Sequence, residues 1–398
     1  MKILNFQAVY PFEGYVIKRV SHQAVGTQID LRIDGRRTHR CTECKGQMSE
    51  NRIRNRVVHD LPCGIGSMTL ITAPVIQLTC WKCLTYRNEL PSEIHPSKKA
   101  TWRFMRYVST LMKHVPADAI AEITGVSAST ALRYDKAVLE ADLPPPVLDG
   151  ITAILIDEKQ VRRGHGYVTI VLNATTGELL YMGEGRKKES LTSFLDQLSQ
   201  EQKASIKVAC IDRAGSYKAA LAESLPGAEV VYDKFHLMQN LNQVVDEVRR
   251  SEMKKAGEEL RGALKGQRYL LLRRPWRMDV DAQAELCKLL SANRLITTAY
   301  ILKEAFDRVW DYTSKRWARR YLLKWCDWAQ HSECAPLKRF ARGIAKDTEP
   351  IVGYCVNQIS NGRMEGFNNL ISRVVHKACG MPKLDYLWLK MRQISLQT

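Results

Sequence analysis

The sequence predicts a multidomain α+β protein. A β-rich N-terminal module leads into a short helical unit, then an α/β domain interrupted by an all-helical segment. Three observations predict this. Two Cys-x-x-Cys pairs stand among residues with strand-like alternation. After a break at Pro144-Pro145-Pro146, apolar strands begin to alternate with helical patterns. From residue 234 to 350 every apolar pattern has helical spacing.

The N-terminal module, residues 1–98, contains alternating stretches at Val16 to Val20 and Gln28 to Ile33. Cys41-Thr42-Glu43-Cys44 is followed, after 35 intervening residues, by Cys80-Trp81-Lys82-Cys83. Each pair can place two thiolates on one cation from a tight knuckle. Two pairs complete a closed tetrahedral site, so Cys41, Cys44, Cys80 and Cys83 are expected to hold structural Zn²⁺. A redox dithiol or chance cysteines are the rival readings. His59 and Cys63 lie between the pairs and are read as bystanders. The chain has 11 cysteines; those outside the pairs read as small buried hydrophobes in a reducing compartment. No stretch of 18 apolar residues appears, and Met1 to Gln7 lacks a signal-peptide core. A cytoplasmic, nucleoid-associated protein without a membrane partner is expected.

Residues 99–146 read as a helix-turn-helix unit. Trp102, Met105, Val108, Leu111 and Met112 keep helical spacing. A short helix over Asp118 to Thr124, a turn at Gly125-Val126, and a second helix capped by Ser127 follow. In that pattern Ser127, Ser129, Thr130 and Arg133 face DNA. An ordinary helical hairpin is the plainer alternative.

Residues 147–240 carry strands at Thr152 to Ile156, Gly166 to Asn173 and Glu178 to Gly183. A helix over Ser190 to Ser199, a strand from Ile206 to Ile211, a helix from Tyr217 to Leu225 and a strand from Glu229 to Tyr232 complete the pattern. Three antiparallel strands followed by αβαβ is the order of a ribonuclease-H-like fold. Asp157, Asp212 and Asp233 each follow an apolar strand, the edge where open α/β sheets build sites. Acids often end strands as turn residues; three in a row are harder to explain that way. Asp157 and Asp212 close strands that are neighbours in that fold, so they can bridge divalent cations.

There are 60 Lys+Arg against 42 Asp+Glu, a net charge of +18. That balance points to a polyanion, and nucleic acid is the default partner. Residues 249–345 hold 22 basic and 11 acidic residues, so the excess concentrates in the helical insertion, 241–350. Trp310, Trp317, Trp325 and Trp328 read as aromatic core or as a stacking surface for a nucleic-acid end. Arg316, Arg319 and Arg320 interleave with them and suit phosphate contact. Residues 351–398 return to the α/β domain. There Ser360-Asn361-Gly362 starts a helix with Glu365 in its first turn and Asn368 and Asn369 on the same face. Alone, Glu365 reads as a helix-start acid.

These motifs together resemble the bacterial insertion-sequence transposases of the IS-L-three family. The resemblance spans nearly the whole chain. It rests on the Cys-x-x-Cys pairs around His59-Asp60-Leu61-Pro62, on Ile156-Asp157-Glu158 and on Ile211-Asp212-Arg213. It also rests on Asp233-Lys234-Phe235-His236, Leu302-Lys303-Glu304, and Ser360-Asn361-Gly362 followed by Glu365-Gly366. The resemblance implies a DDE triad of Asp157, Asp212 and Glu365 holding Mg²⁺ (or Mn²⁺), with Asp233, His236 and Asn368 nearby. One departure is Ile371-Ser372-Arg373, where a Lys-rich run is expected. The implied activity is metal-dependent cleavage and strand transfer at terminal inverted repeats, on DNA that includes a target, by a homodimer or larger assembly. The rivals are a ribonuclease-H-like nuclease without strand transfer and a domesticated transcription regulator.

Overall fold

Alternating burial builds the first sheet. β1 (Tyr15–Gln23), β2 (Gly26–Ile33), β3 (Ser49–Asp60), β4 (Met68–Cys80) and β5 (Thr85–Glu89) form five strands in the order β1-β2-β4-β3, with β5 also on β4. β4 buries every second residue along most of its length, as a strand with one core face must. Ile29, Val58 and Ile71 fill one end of its core; Ile76 and Leu78 pack beside Cys41 and Cys80 at the other.

α1 (Trp102–Leu111), α2 (Ala117–Thr124) and α3 (Ala128–Asp142) follow. The buried Asp60 accepts Thr101 Oγ1 at 2.6 Å and Arg103 Nε at 2.7 Å, which fixes the start of α1 against β3. The His59-Asp60-Leu61-Pro62 motif is therefore a joint between sheet and helices. Gly125 ends α2 at φ 71°, a left-handed conformation suited to glycine. Ser127 caps α3 by accepting the Thr130 N–H.

The computed structural model describes residues 11–23, 26–63, 68–162, 166–213, 215–359, 362–377 and 383–396. Ser360 and Asn361, the expected helix start, lie outside the described residues. The chain divides into two units, Met1–Pro144 with Lys377–Gln393, and Pro145–His376 with Ile394–Thr398.

In the second unit, β6 (Ala153–Arg162), β7 (Gly166–Asn173) and β8 (Leu179–Glu184) form an antiparallel meander. α4 (Lys188–Leu195), α5 (Gln200–Ser205), β9 (Val208–Ile211), α6 (Gly215–Ser224) and β10 (Glu229–Tyr232) complete the α/β pattern. The sheet order is β10-β9-β6-β7-β8, with β9 parallel to both β6 and β10. β6 and β9 are apolar on both faces because both faces are covered: Ile154, Leu155, Ile156, Ala209, Cys210 and Ile211 are all buried. The helix expected over Ser190 to Ser199 ends at Leu195, and a second helix follows it. Ser199 and Gln202 form a reciprocal capping box that starts α5.

Residues 234–357 are helical apart from short connections: α7 (Lys234–Lys255), α8 (Glu258–Leu264), α9 (Arg268–Leu272), α10 (Val280–Ala292), α11 (Arg294–Asp307), α12 (Lys315–His331), α13 (Ala335–Lys346) and α14 (Thr348–Asn357). Phe306 packs edge-on against Trp310, Trp325 and Phe340. Trp310 and Trp325 are thus core, whereas Trp317 and Trp328 are 53% and 49% exposed. α14 packs on the edge strand β10, and Gly353 leaves room for Glu229, whose Oε1 would lie 2.6 Å from a Cβ there. α15 (Gly362–Lys377) follows, its start tied by Arg363 to Thr175 O in the β7–β8 turn.

The last helix, α16 (Leu384–Ser395), differs from the sequence expectation, which grouped all of 351–398 with the α/β domain. Its residues up to Gln393 group with the first unit. The cause is Asp135, fully buried in α3, which accepts Tyr386 Oη at 2.5 Å and pairs with Lys390 Nζ at 3.0 Å. No helix among the described residues is long and apolar enough to cross a membrane.

Candidate active site and metal centre

The parallel ladder sets three acids in one row. β6 pairs with β9 up to Ile156↔Ile211, and β10 with β9 up to Tyr232↔Ile211. Ile156, Ile211 and Tyr232 share one core cluster. The next residues, Asp157, Asp212 and Asp233, therefore turn to the opposite face. Asp157 does not end its strand, as the sequence suggested. β9 stops at Ile211, while the antiparallel partner β7 carries β6 on to Arg162.

Asp233 caps α7. Its two oxygens accept the N–H groups of Phe235 and His236, each at 3.1 Å. Oδ2 also lies 2.7 Å from His236 Nδ1, an ion-pair contact. That contact pushes the His236 imidazole up to about 9 against its burial, with help from the charges of Asp212, Asp233 and Asp157. His236 is thus a cation beside the acid row at neutral pH.

Asp157 is buried, and burial pushes its carboxyl up. Three contacts pull back: the Glu158 N–H at 2.8 Å, the charge of His236, and Asn368, whose Nδ2 donates to Oδ2 at 2.8 Å. Asn368 brings α15 onto the row. Its Oδ1 is buried and has no hydrogen-bond partner among the described residues. Carboxylates beside an orphaned amide oxygen form an all-oxygen acceptor set, which fits a hard divalent cation. Glu365 stands one turn before Asn368 and is exposed. Among the described residues, only the four cysteines gather three or more ligand atoms within 4.8 Å. The structure thus joins Asp157, Asp212, Asp233, His236 and Asn368 and leaves Glu365 on the same helix but in solvent.

Cys41, Cys44, Cys80 and Cys83 lie with all four sulfurs within 4.8 Å of one another, Cys44 and Cys80 at 3.5 Å. Each knuckle closes through a left-handed residue, Lys45 at φ 60° and Leu84 at φ 54°. The backbone N–H groups of Cys44 and Glu43 push the Cys41 thiol down to about 6, and a side-chain hydrogen bond with Cys44, with burial, pushes Cys83 up to about 12. Four soft sulfur donors in one closed cluster suit Zn²⁺. His59 instead stacks on Phe104, with ring centres 6.0 Å apart, and Cys63 stands outside the cluster.

On α3, Ser127, Ser129 and Arg133 are exposed and Thr130 is partly so. Arg133 Nη2 reaches Thr130 Oγ1 at 2.9 Å, and Ser127 Oγ is 3.2 Å from Ser129 Oγ. In the insertion, Arg316 and Arg320 are exposed, Arg320 lying 5.6 Å from the Trp317 ring centre. Arg319 is instead held by Glu349 through two contacts of 2.8 and 2.5 Å. Sequence reasoning missed Asp135. Its signal was an acid within the apolar stripe Ala131, Tyr134, Val138 of α3.

A family model described as transposase matches residues 154–391. The chain is 29% identical over 358 residues to the transposase for insertion sequence element IS1001 of Bordetella parapertussis, covering 88% of this chain and 87% of that one. It is 25% identical over 248 residues to the transposase for insertion sequence element IS1557 of Mycobacterium tuberculosis, 56% of each.

Proposed function

The chain belongs to the insertion-sequence transposases of the IS-L3 family, and we propose that it cleaves DNA at its element's terminal inverted repeats and joins the freed ends to a target through a DDE site. The observation that carries this reading is the register Ile156↔Ile211, which pairs the residues just before Asp157 and Asp212, with Asn368 of α15 bonded to Asp157. The β10-β9-β6-β7-β8 order supports a ribonuclease-H-like domain interrupted by the helical insertion.

Asp157 from within β6, Asp212 from just past the end of β9, and Glu365 from α15 would hold the divalent cations. Mg²⁺ or Mn²⁺ would stabilise charge on the phosphoryl oxygens and lower the pKa of water. Asn368 fixes one Asp157 oxygen, and protonated His236 limits repulsion along the acid row. Zinc would close the N-terminal knuckles, and the exposed face of α3 would read the repeats. Two ends must react together, so the working species would be a dimer or larger assembly on DNA.

The test is Asp157→Asn in full-length protein with a short DNA carrying one repeat end. Cleavage and end joining should fall to background while repeat binding persists. Undiminished joining would remove Asp157 from the chemistry. Wild-type cleavage that never yields a joined 3′-hydroxyl product would favour a nuclease.

A further inference from the structure

The sheet ladder ends at Ile211, so strand pairing does not hold Asp212. Its neighbour Arg213 is held from the helical insertion. Arg213 Nε donates to Asp347 Oδ2 at 2.9 Å, and the Arg213 backbone N–H donates to Asp212 Oδ1 at 2.5 Å. Asp347 stands between α13 and α14. It also receives Lys218 Nζ of α6 at 3.4 Å and Tyr232 Oη of β10 at 3.3 Å. Burial alone would raise the Asp347 carboxyl; the Arg213 hydrogen bond and charge, with Lys218, outweigh it and hold it below the usual range. A Cβ at position 343 would overlap Arg213 Nη2 and lie 3.2 Å from its Cζ, so the guanidinium rests on the backbone of α13.

We infer that Arg213 and Asp347 are positioning residues, through which the helical insertion sets the Asp212 carboxylate in the acid row. The inference rests on the metal-site reading above. The insertion then does more than offer a basic surface. It braces a carboxylate that the sheet leaves unsupported.

The experiment uses full-length, DNA-free protein and measures Mn²⁺ binding by the loss of the free-ion paramagnetic resonance signal. Asp157→Asn defines the specific site. Arg213→Ala and Asp347→Ala should weaken that binding about tenfold, with zinc content and repeat binding unchanged, and Arg213→Lys should recover part of it. Gly343→Ala displaces only the flexible end of Arg213. It should weaken Mn²⁺ binding without lowering the melting temperature, and it decides the matter if the other variants fold poorly. Variants that bind Mn²⁺ like wild type, whatever their stability, overturn the brace. Wild-type protein with no Asp157-dependent Mn²⁺ binding overturns both the brace and the site.

Discussion

Asn368 bonds Asp157 across 211 residues of chain, and the contact uses only half of its amide. Nδ2 holds the carboxylate, while Oδ1 is buried without a partner among the described residues. An orphaned buried acceptor costs about 1–3 kcal/mol, so the residue is placed at some expense. Asn368→Asp would set a second carboxylate against buried Asp157. In chelator its melting temperature should fall below wild type, and Mg²⁺ should raise it more than it raises wild type. Asn368→Ala should lose the hydrogen bond and show no added response. Equal Mg²⁺ responses in all three proteins would separate Asn368 from any cation.

The His236 charge predicts a pH window. Its imidazole ionises near 9 in the folded chain, against 6.5 for the free group. A folded value above the unfolded one stabilises fully below 6.5, and the gain is lost as pH rises toward 9. At most it amounts to about 3 kcal/mol. Urea midpoints of metal-free protein should therefore fall between these pH values, and His236→Gln should flatten that fall. Because Asp157 and Asp212 help hold the proton, Mg²⁺ on those acids should lower the ring's ionisation, read directly by proton resonance of the imidazole.

The four-cysteine cluster predicts one zinc per chain. Cys80 is buried at the end of β4, so Cys80→Ser would replace a soft donor inside a closed set. Zinc content should drop below stoichiometry, and the near-ultraviolet signal of the first unit should weaken as its knuckles open. Chelation of wild type should give the same change, since folding of such modules is coupled to the metal. Full zinc occupancy in Cys80→Ser would exclude that sulfur as a ligand.

What could be read from the sequence follows from which interactions are local. The apolar strand over Gly166 to Asn173 and the Ser127 cap are short-range signals, and both stand in the structure. The adjacency of β6 and β9 followed from strand order, a topological rule. The continuation of β6 past Asp157 did not, because it depends on where two different partners stop. Nor did the placement of α16. Its anchor is Asp135, 251 residues from Tyr386, and nothing near either residue announces the pair. The partner of Arg319 was hidden for the same reason: a basic residue beside tryptophans looks free until Glu349 folds onto it.

Arg316 and Arg320 are exposed, and Arg320 lies beside the exposed Trp317, so both can meet phosphate. Arg319 is occupied by Glu349. Replacing Arg316 or Arg320 with alanine should weaken DNA binding on any sequence and reduce the slope of log affinity against log salt by about 1 for each. Arg319→Ala should leave that slope unchanged and instead lower stability by about 0.2–1 kcal/mol, the usual range for an exposed ion pair. Glu349→Ala separates the cases further. It frees Arg319, so the salt slope should steepen, and Arg319→Ala in that background should return it to the wild-type value. A slope that responds to Arg319→Ala in the wild-type background would show that the Glu349 pair opens on DNA.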